Sequence, residues 1–568
     1  MQVPLSEVLT KFHKFVSSLT NIKMQYRYLF ILFIVMVMNS CNRDRSAADL
    51  IIENAVIYTA DSGFTIYTAM AVSRGKVLAL GDDRYIRENF NADSVFNAGG
   101  RAVFPGFIDA HCHFYGYALQ KQYADLSYSN SFEQLLEILQ KQNEEYPSVW
   151  LAGRGWDQNR WPGRSFPDNE ELNLLFPDIP VVLVRIDGHA VLVNDAAIKL
   201  SGLTPDSIPD KKEAFVKDGR FTGIFLESYA DLFREMVPVP AGNELTMMMK
   251  EAALNCHSVG LTMVADAGLD ATTIDFIDSL HSENELKMAV YAMITPNEEN
   301  INRFLKKGVR VKPKLSIRSV KMYADGALGS RGACLLEPYS DQPGNNGIMT
   351  ITPEELGRIC LMAYDKGYQV NSHAIGDSAV RMVLDVYSNY LLPENDLRWR
   401  VEHAQIVDPD DIGKFGEFAI IPSIQATHAT SDMGWAGQRL GSKRLKNAYA
   451  YRKLLSENGW IPNGTDFPIE GISPVNTFYA SVARKDLKGN PPKGFQRENA
   501  LTREEALRSI TIWAAKACFE ENRRGSLEPG KNADFVILDR DIMVVPEKEI
   551  PLAKVYATYI DGLPVYSR

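Results

Sequence analysis

Two histidines one residue apart, His111 and His113, close an apolar run that begins at Val103. Side chains on a strand alternate between its faces, so both imidazoles point one way and Cys112 the other. Two neutral imidazoles aimed at one point suit a divalent metal of zinc type. Alone, the pair fits two satisfied or exposed histidines as well. Later apolar runs carry groups of the same chemistry: Lys321, His373, His403 and Asp466. An aspartate at such a place can ligate a cation or shuttle a proton, and it can also be an ordinary turn residue.

The elements that must position these groups read as alternating strands and helices. Strand-like runs at 103–111, 260–266, 286–293, 319–325, 369–373, 400–403, 418–425 and 461–466 make eight, with amphipathic helices expected at 353–366 and 378–390. The expected fold class is α/β, a (β/α)8 TIM-like barrel spanning 105–522, whose catalytic groups sit at the carboxyl ends of the strands. Residues 49–104 and 523–568 alternate in the manner of short antiparallel strands, and the two ends are expected to pair into one composite β-sandwich. The interval 114–258 is too long for one crossover and reads as an insertion subdomain over the barrel mouth, with a helix at 131–145 and a strand at 181–186.

A net charge of −10 with no long basic run argues against a nucleic-acid surface and leaves small-molecule chemistry as the expectation. Six cysteines at irregular spacing form neither a disulfide framework nor a C-x-x-C knuckle. Residues 1–48 read as a signal segment and tether. An apolar stretch at 29–38 follows a basic lead and is too short to span a bilayer. It ends at Cys41 in a lipobox-like pattern, with Met24 as the expected true start. The expectation is export and a lipid anchor on Cys41, facing the periplasm of a bacterial cell envelope, against the alternatives of an ordinary cleaved signal or a short anchor. A homodimer is left open.

The motifs PGFIDAHCH (105–113), KMYADGALGSRGA (321–333), HAIGD (373–377), VEHAQ (401–405), GTDFP (464–468) and GSLEPGKNADFVILD (525–539) stand in one order over nearly the whole chain. In these the chain resembles the amidohydrolase superfamily, in its family-three, YtcJ-like branch. The resemblance implies a metal-dependent hydrolase. His111, His113 and Asp466 would hold the more buried ion, and His373 and His403 the more exposed one. Lys321, as its carbamate, would bridge two Zn2+ ions, with a single metal as the alternative. A plain rim lysine paired with Asp325 is the competing reading of Lys321. Gly332 stands where relatives often have threonine. The segments around Trp156, Asp157, Arg185 and His189 resemble substrate-side motifs, although the tryptophans suit a subdomain core and His189 a loop cap equally well. Arg331 and His428, just past the ends of the fourth and seventh strands, are further substrate candidates. His257 and His281 fall in helical stretches away from the rim and His13 precedes the signal segment; none is given a role.

The implied reaction is hydrolysis of a C–N bond in an amide-like small molecule, with Asp466 as general base and then acid. Ester or lactone hydrolysis, an isomerisation on the same metals, and an inactive lipid-anchored binding protein are the alternatives, because a barrel does not fix its own chemistry.

Overall fold

A computed structural model describes residues 6–18, 26, 45–186, 188–208 and 213–568. Cys41, Met24 and the apolar stretch lie outside the described residues. Among those described, no helix is long and apolar enough to cross a membrane.

The centre of the molecule is a parallel sheet curled into a barrel. Its strands are β1 (Phe107–Cys112), β2 (Leu261–Leu269), β3 (Ala289–Ile294), β4 (Leu315–Tyr323), β5 (Gln369–Ala374), β6 (Arg400–His403) and β7 (Ile421–Ser423), hydrogen-bonded in that order. Every position of β1, β3 and β6 is buried, the pattern of strands covered on both faces. The eighth place is taken by an irregular segment, 461–466, and not by a regular ladder. Asn463 makes a parallel bridge to Ile424, Gly464 N–H donates to Ile424 O (2.9 Å), and Asp466 N–H donates to His111 O (2.8 Å). The barrel therefore closes, by a few bonds placed directly beneath the candidate residues.

Small interior side chains let another element enter from below. Ala110, Ala265, Ala267 and Ala289 pack with Met263, Tyr291 and Met293 against the helix Ile512–Ala517. Ile108 N–H, at the start of β1, donates to Ile510 O just before that helix (2.9 Å). The outer helices have ordinary start signals. Pro353–Lys366 carries a capping box from Thr352 and Glu355 with Pro353 at its first turn.

Both ends of the chain contribute to the sheets beside the barrel. Lys76–Gly81, Ala69–Ser73, Ser46–Glu53 and Phe90–Asn97 form one sheet. The other runs Leu563–Ser567, Val555–Ile560, Phe535–Leu538, Ala102–Pro105, Val56–Tyr58, Ile66–Tyr67. Leu50, Ile52, Met70 and Val72 of the first meet Val103, Phe535, Ile537 and Tyr559 of the second in one apolar core. Ala102–Pro105 pairs antiparallel with Phe535–Leu538 and runs through Gly106 straight into β1.

Between β1 and β2 the chain builds a six-stranded mixed sheet, ordered Ala214–Lys217, Arg220–Leu226, Ala190–Val193, Val181–Arg185, Leu151–Trp156, Tyr123–Asp125. The helix Phe132–Glu145, capped by Ser131, covers one face, and Glu227–Met236 lies against the other.

Candidate metal centre

At the carboxyl end of β1 both histidines have one ring nitrogen occupied and the other turned inward. His111 Nδ1–H donates to Glu402 Oε2 at 2.7 Å, and His113 Nδ1–H donates to Ala267 O at 3.1 Å. This fixes the tautomers and leaves both Nε2 atoms as acceptors, the arrangement that a metal-binding imidazole needs. Asp466 Oδ1 stands 3.3 Å from His113 Nε2 and 3.6 Å from His111 Nε2. Lys321 Nζ, almost fully enclosed, is 3.1 Å from His111 Nε2.

A second donor set shares Asp466. His403, His428 and Asp466 offer ligand atoms within 4.8 Å of one another, as do His111, His113 and Asp466. His428 Nε2 lies 3.3 Å from Asp466 Oδ2, with its Nδ1 3.3 Å from Glu470 Oε1. The His373 ring is 4.6 Å from that of His403, and its Nε2 is 3.4 Å from Asp325 Oδ1. Lys321, His373 and His403 thus sit around Asp466 as the strand ends suggested, and His428, read from sequence as a substrate contact, joins them. Asp325 does not pair with Lys321: it accepts the backbone N–H groups of Cys334, Ile375 and Gly376 and so ties the loops after β4 and β5 together.

Local backbone explains how these groups converge. Gly464 passes so close to β1 that a Cβ there would come within 2.5 Å of His111 N. Asp109, buried within β1, accepts from His111 N–H, Thr465 N–H and the Thr465 hydroxyl (2.7 Å), locking strand to closing segment. His403, Ala404 and Asp466 hold φ of +74°, +40° and +62°, a region that side chains other than glycine seldom adopt. Such strain persists only where surrounding structure over-determines it, and it concentrates at ligand and catalytic sites.

Glu402 is the residue that sequence reading passed over. It is fully buried, holds His111, and has Arg400 Nη1 3.5 Å from its other oxygen. Arg400, fully buried too, donates to Ala110 O and Ala517 O. Burial opposes the Glu402 charge, yet His111 and Arg400 hold its pKa down at about 2. A carboxylate within an apolar strand, as in RVEH or FIDAH, was the available signal, since a buried charge requires partners. Burial dominates at Lys321 and lowers its pKa to about 8, which eases loss of its proton, and at His373 lowers it to about 3, which keeps that imidazole neutral. Asp466 behaves oppositely: burial would raise it, but the imidazoles of His113 and His428 beside it hold it well below the usual carboxylate range. His428, despite burial, is raised to about 10 by Asp466 and Glu470.

The residues fit a divalent cation. Among the described residues, Nε2 of His373, Nδ1 of His403 and Oδ1 of Asp466 are buried without a hydrogen-bond partner. Buried lone pairs are costly unless something pairs with them, and imidazole nitrogen with carboxylate oxygen is a donor set for zinc-type ions.

The remaining candidates lie elsewhere. Trp156 is fully buried in the insertion core, stacked on Trp161 with its indole N–H on Leu183 O (2.8 Å), so its ring is not a pocket wall. Arg185 binds Asp157 (2.9 Å) and Gln158, and His189, well exposed, faces Glu227. Arg331 is clamped to Asp341, which also holds Arg439, within the loop after β4. His257 and His281 bond the carbonyls of Leu261 and Met288.

Known proteins agree with this geometry. The amidohydrolase family model matches residues 94–566. The chain is 29% identical over 510 residues to the putative amidohydrolase YtcJ of Bacillus subtilis (strain 168), covering 88% of this chain and 96% of that protein. It is 25% identical over 552 residues to the N-substituted formamide deformylase of Arthrobacter pascens, covering 92% and 98%. A crystal structure of an uncharacterized metal-dependent hydrolase from Pyrococcus furiosus superposes with a TM-score of 0.72 at 28% identity, over 87% of this chain and 99% of that one. With barrel, donor set and motifs in agreement over most of its length, the chain belongs to the amidohydrolase family, as a metal-dependent hydrolase.

Proposed function

We propose that the protein hydrolyses a C–N bond of an amide-like small molecule, with Asp466 as the proton shuttle. The observation that carries this reading is the position of Asp466, an anionic carboxylate between His113 and His428, shared by both donor sets. The deformylase relative, by its name, acts on an N-substituted formamide, and that favours C–N over C–O cleavage.

His111, His113 and Asp466 would hold one ion, and His373 with His403 a second. A bound divalent ion supplies Lewis acidity, polarising the scissile carbonyl and making water nucleophilic near neutral pH. Asp466 takes the proton of the attacking water and delivers it to the leaving nitrogen. The protonated His428 orients Asp466 through its second oxygen. Lys321 is sealed from solvent beside His111; as a carbamate, formed when its neutral amine adds to carbon dioxide with loss of one proton, it would present two anionic oxygens to a pair of ions. Glu402 keeps His111 in its ligating tautomer.

The test is to screen zinc-loaded protein, supplied with bicarbonate, against N-acyl, formamide, carbamate and lactone compounds. Release of amine from the amide-like members supports the proposal; turnover confined to lactones or esters overturns it. Intact-mass measurement of the metal-loaded protein checks the carbamate on Lys321. The lipobox-like sequence ending at Cys41 supports a separate proposal, a lipid anchor on a bacterial envelope membrane, and Cys41→Ser should move the protein from membrane to soluble fraction.

A further inference from the structure

The insertion borders an open cavity of about 670 Å3, running from Gly116 to the 237–240 segment. Gly116, at its edge, lies on the short helix Phe114–Leu119 that follows His113. Leu119, Tyr123, Val184, Ile186, Val237 and Val239 give it an apolar wall, beside which Gln120, Gln122, Asp125 and Ser127 supply polar lining. Ile186 and Val239 are 49% and 69% exposed, open apolar surface at its edge. Arg154 and Arg234 line this cavity and also an adjoining one of about 340 Å3 that reaches His189.

The two arginines differ. Arg234 is committed to Gly188 O and Asp231. The Arg154 guanidinium has no hydrogen bond or ion pair among the described residues, and Arg154 is the one exposed position on a strand whose other residues are buried. The backbone is built to aim it. The register between Leu151–Trp156 and Val181–Arg185 shifts between Arg154 and Trp156, and Gly155, at φ +104°, packs where a Cβ would come within 2.3 Å of Ser127 Oγ. Bulges of this kind re-aim side chains next to binding sites. A planar guanidinium with open donors, lining a cavity that also has an apolar wall, suits a carboxylate on an apolar body.

The geometry points to a subsite in the insertion that binds an apolar chain ending in a carboxylate, with Arg154 as its anchor. This rests on the hydrolase reading only for its purpose, the recognition of substrate; the binding itself is independent of turnover. Calorimetric titration of full-length, zinc-loaded protein with octanoate and with octanamide tests it, using wild type and Arg154→Gln. Saturable octanoate binding, at least tenfold tighter than octanamide and at least tenfold weaker in Arg154→Gln with metal content unchanged, is expected. No saturable binding, equal binding of octanamide, or an undiminished Arg154→Gln would overturn the subsite. Arg154-dependent octanoate binding in a protein that releases amine from no amide-like compound would leave the subsite standing and remove the proposed reaction.

Discussion

The barrel rim and the insertion sheet are similarly rich in polar and aromatic side chains, yet they use them in opposite ways. In the insertion, Trp156 donates to Leu183 O, Arg185 meets Asp157 and Gln158, and His189 faces Glu227. At the rim, His373, His403 and Asp466 each bury an atom with no hydrogen-bond partner among the described residues, on a backbone held at positive φ at two of the three. Buried polar atoms left unpaired call for an explanation, and three of them gathered on one imidazole–carboxylate cluster fit a cation. Satisfied groups hold the insertion together, while the rim cluster is built to take a ligand.

Substitutions on the two sides should separate cleanly. Asp466→Asn should retain metal by elemental analysis while lowering kcat by about 10²–10⁴-fold, the usual share of general acid–base catalysis; near-normal turnover would remove the rim's central residue from the mechanism. Stripping metal with a chelator should lower the thermal midpoint, since an ion at a hundred times its dissociation constant contributes about 2.7 kcal/mol. Protease cleavage within the insertion should be unaffected by that treatment, and equal sensitivity of both regions would break the contrast. Glu402→Gln should weaken metal affinity by about ten- to hundredfold in competition with a chromogenic chelator, the loss typical of a group that orients a ligating histidine. Trp156→Phe should destabilise by about 1–2 kcal/mol in urea unfolding, by leaving Leu183 O short of its donor. Its kcat/KM should stay within about twofold of wild type; a large loss would return Trp156 to the pocket.

The same contrast explains what was legible in the sequence. Barrel strands buried on both faces are near-continuous apolar runs, so a histidine, lysine or aspartate at the end of one stands out, and the polar groups of 111–113, 321, 373, 403 and 466 do meet in space. The alternation rule then failed at β6. It places Glu402 opposite His403, but the left-handed backbone at His403 and Ala404 lets both reach His111. Residues 461–466, read as a regular strand, are an irregular closure because Gly464 must press against β1 and Asp466 must turn back toward the histidines. In the insertion, tryptophan, arginine and aspartate suit a core as well as a pocket, and only burial tells them apart. Arg154 falls within the segment 153–161 that resembles a substrate-side motif, but no spacing rule singles out a cation that a bulge has redirected.

The pairing of Ala102–Pro105 with Phe535–Leu538 has a consequence for the order in which the enzyme can be made. The strand leading into the His111 and His113 pair leaves the ribosome well before its sheet partner, which lies more than 400 residues further along the chain. At about 5–20 residues per second the wait is tens of seconds. A nascent chain that stops before Phe535 has every proposed metal ligand but lacks one of the two strands that flank the root of β1.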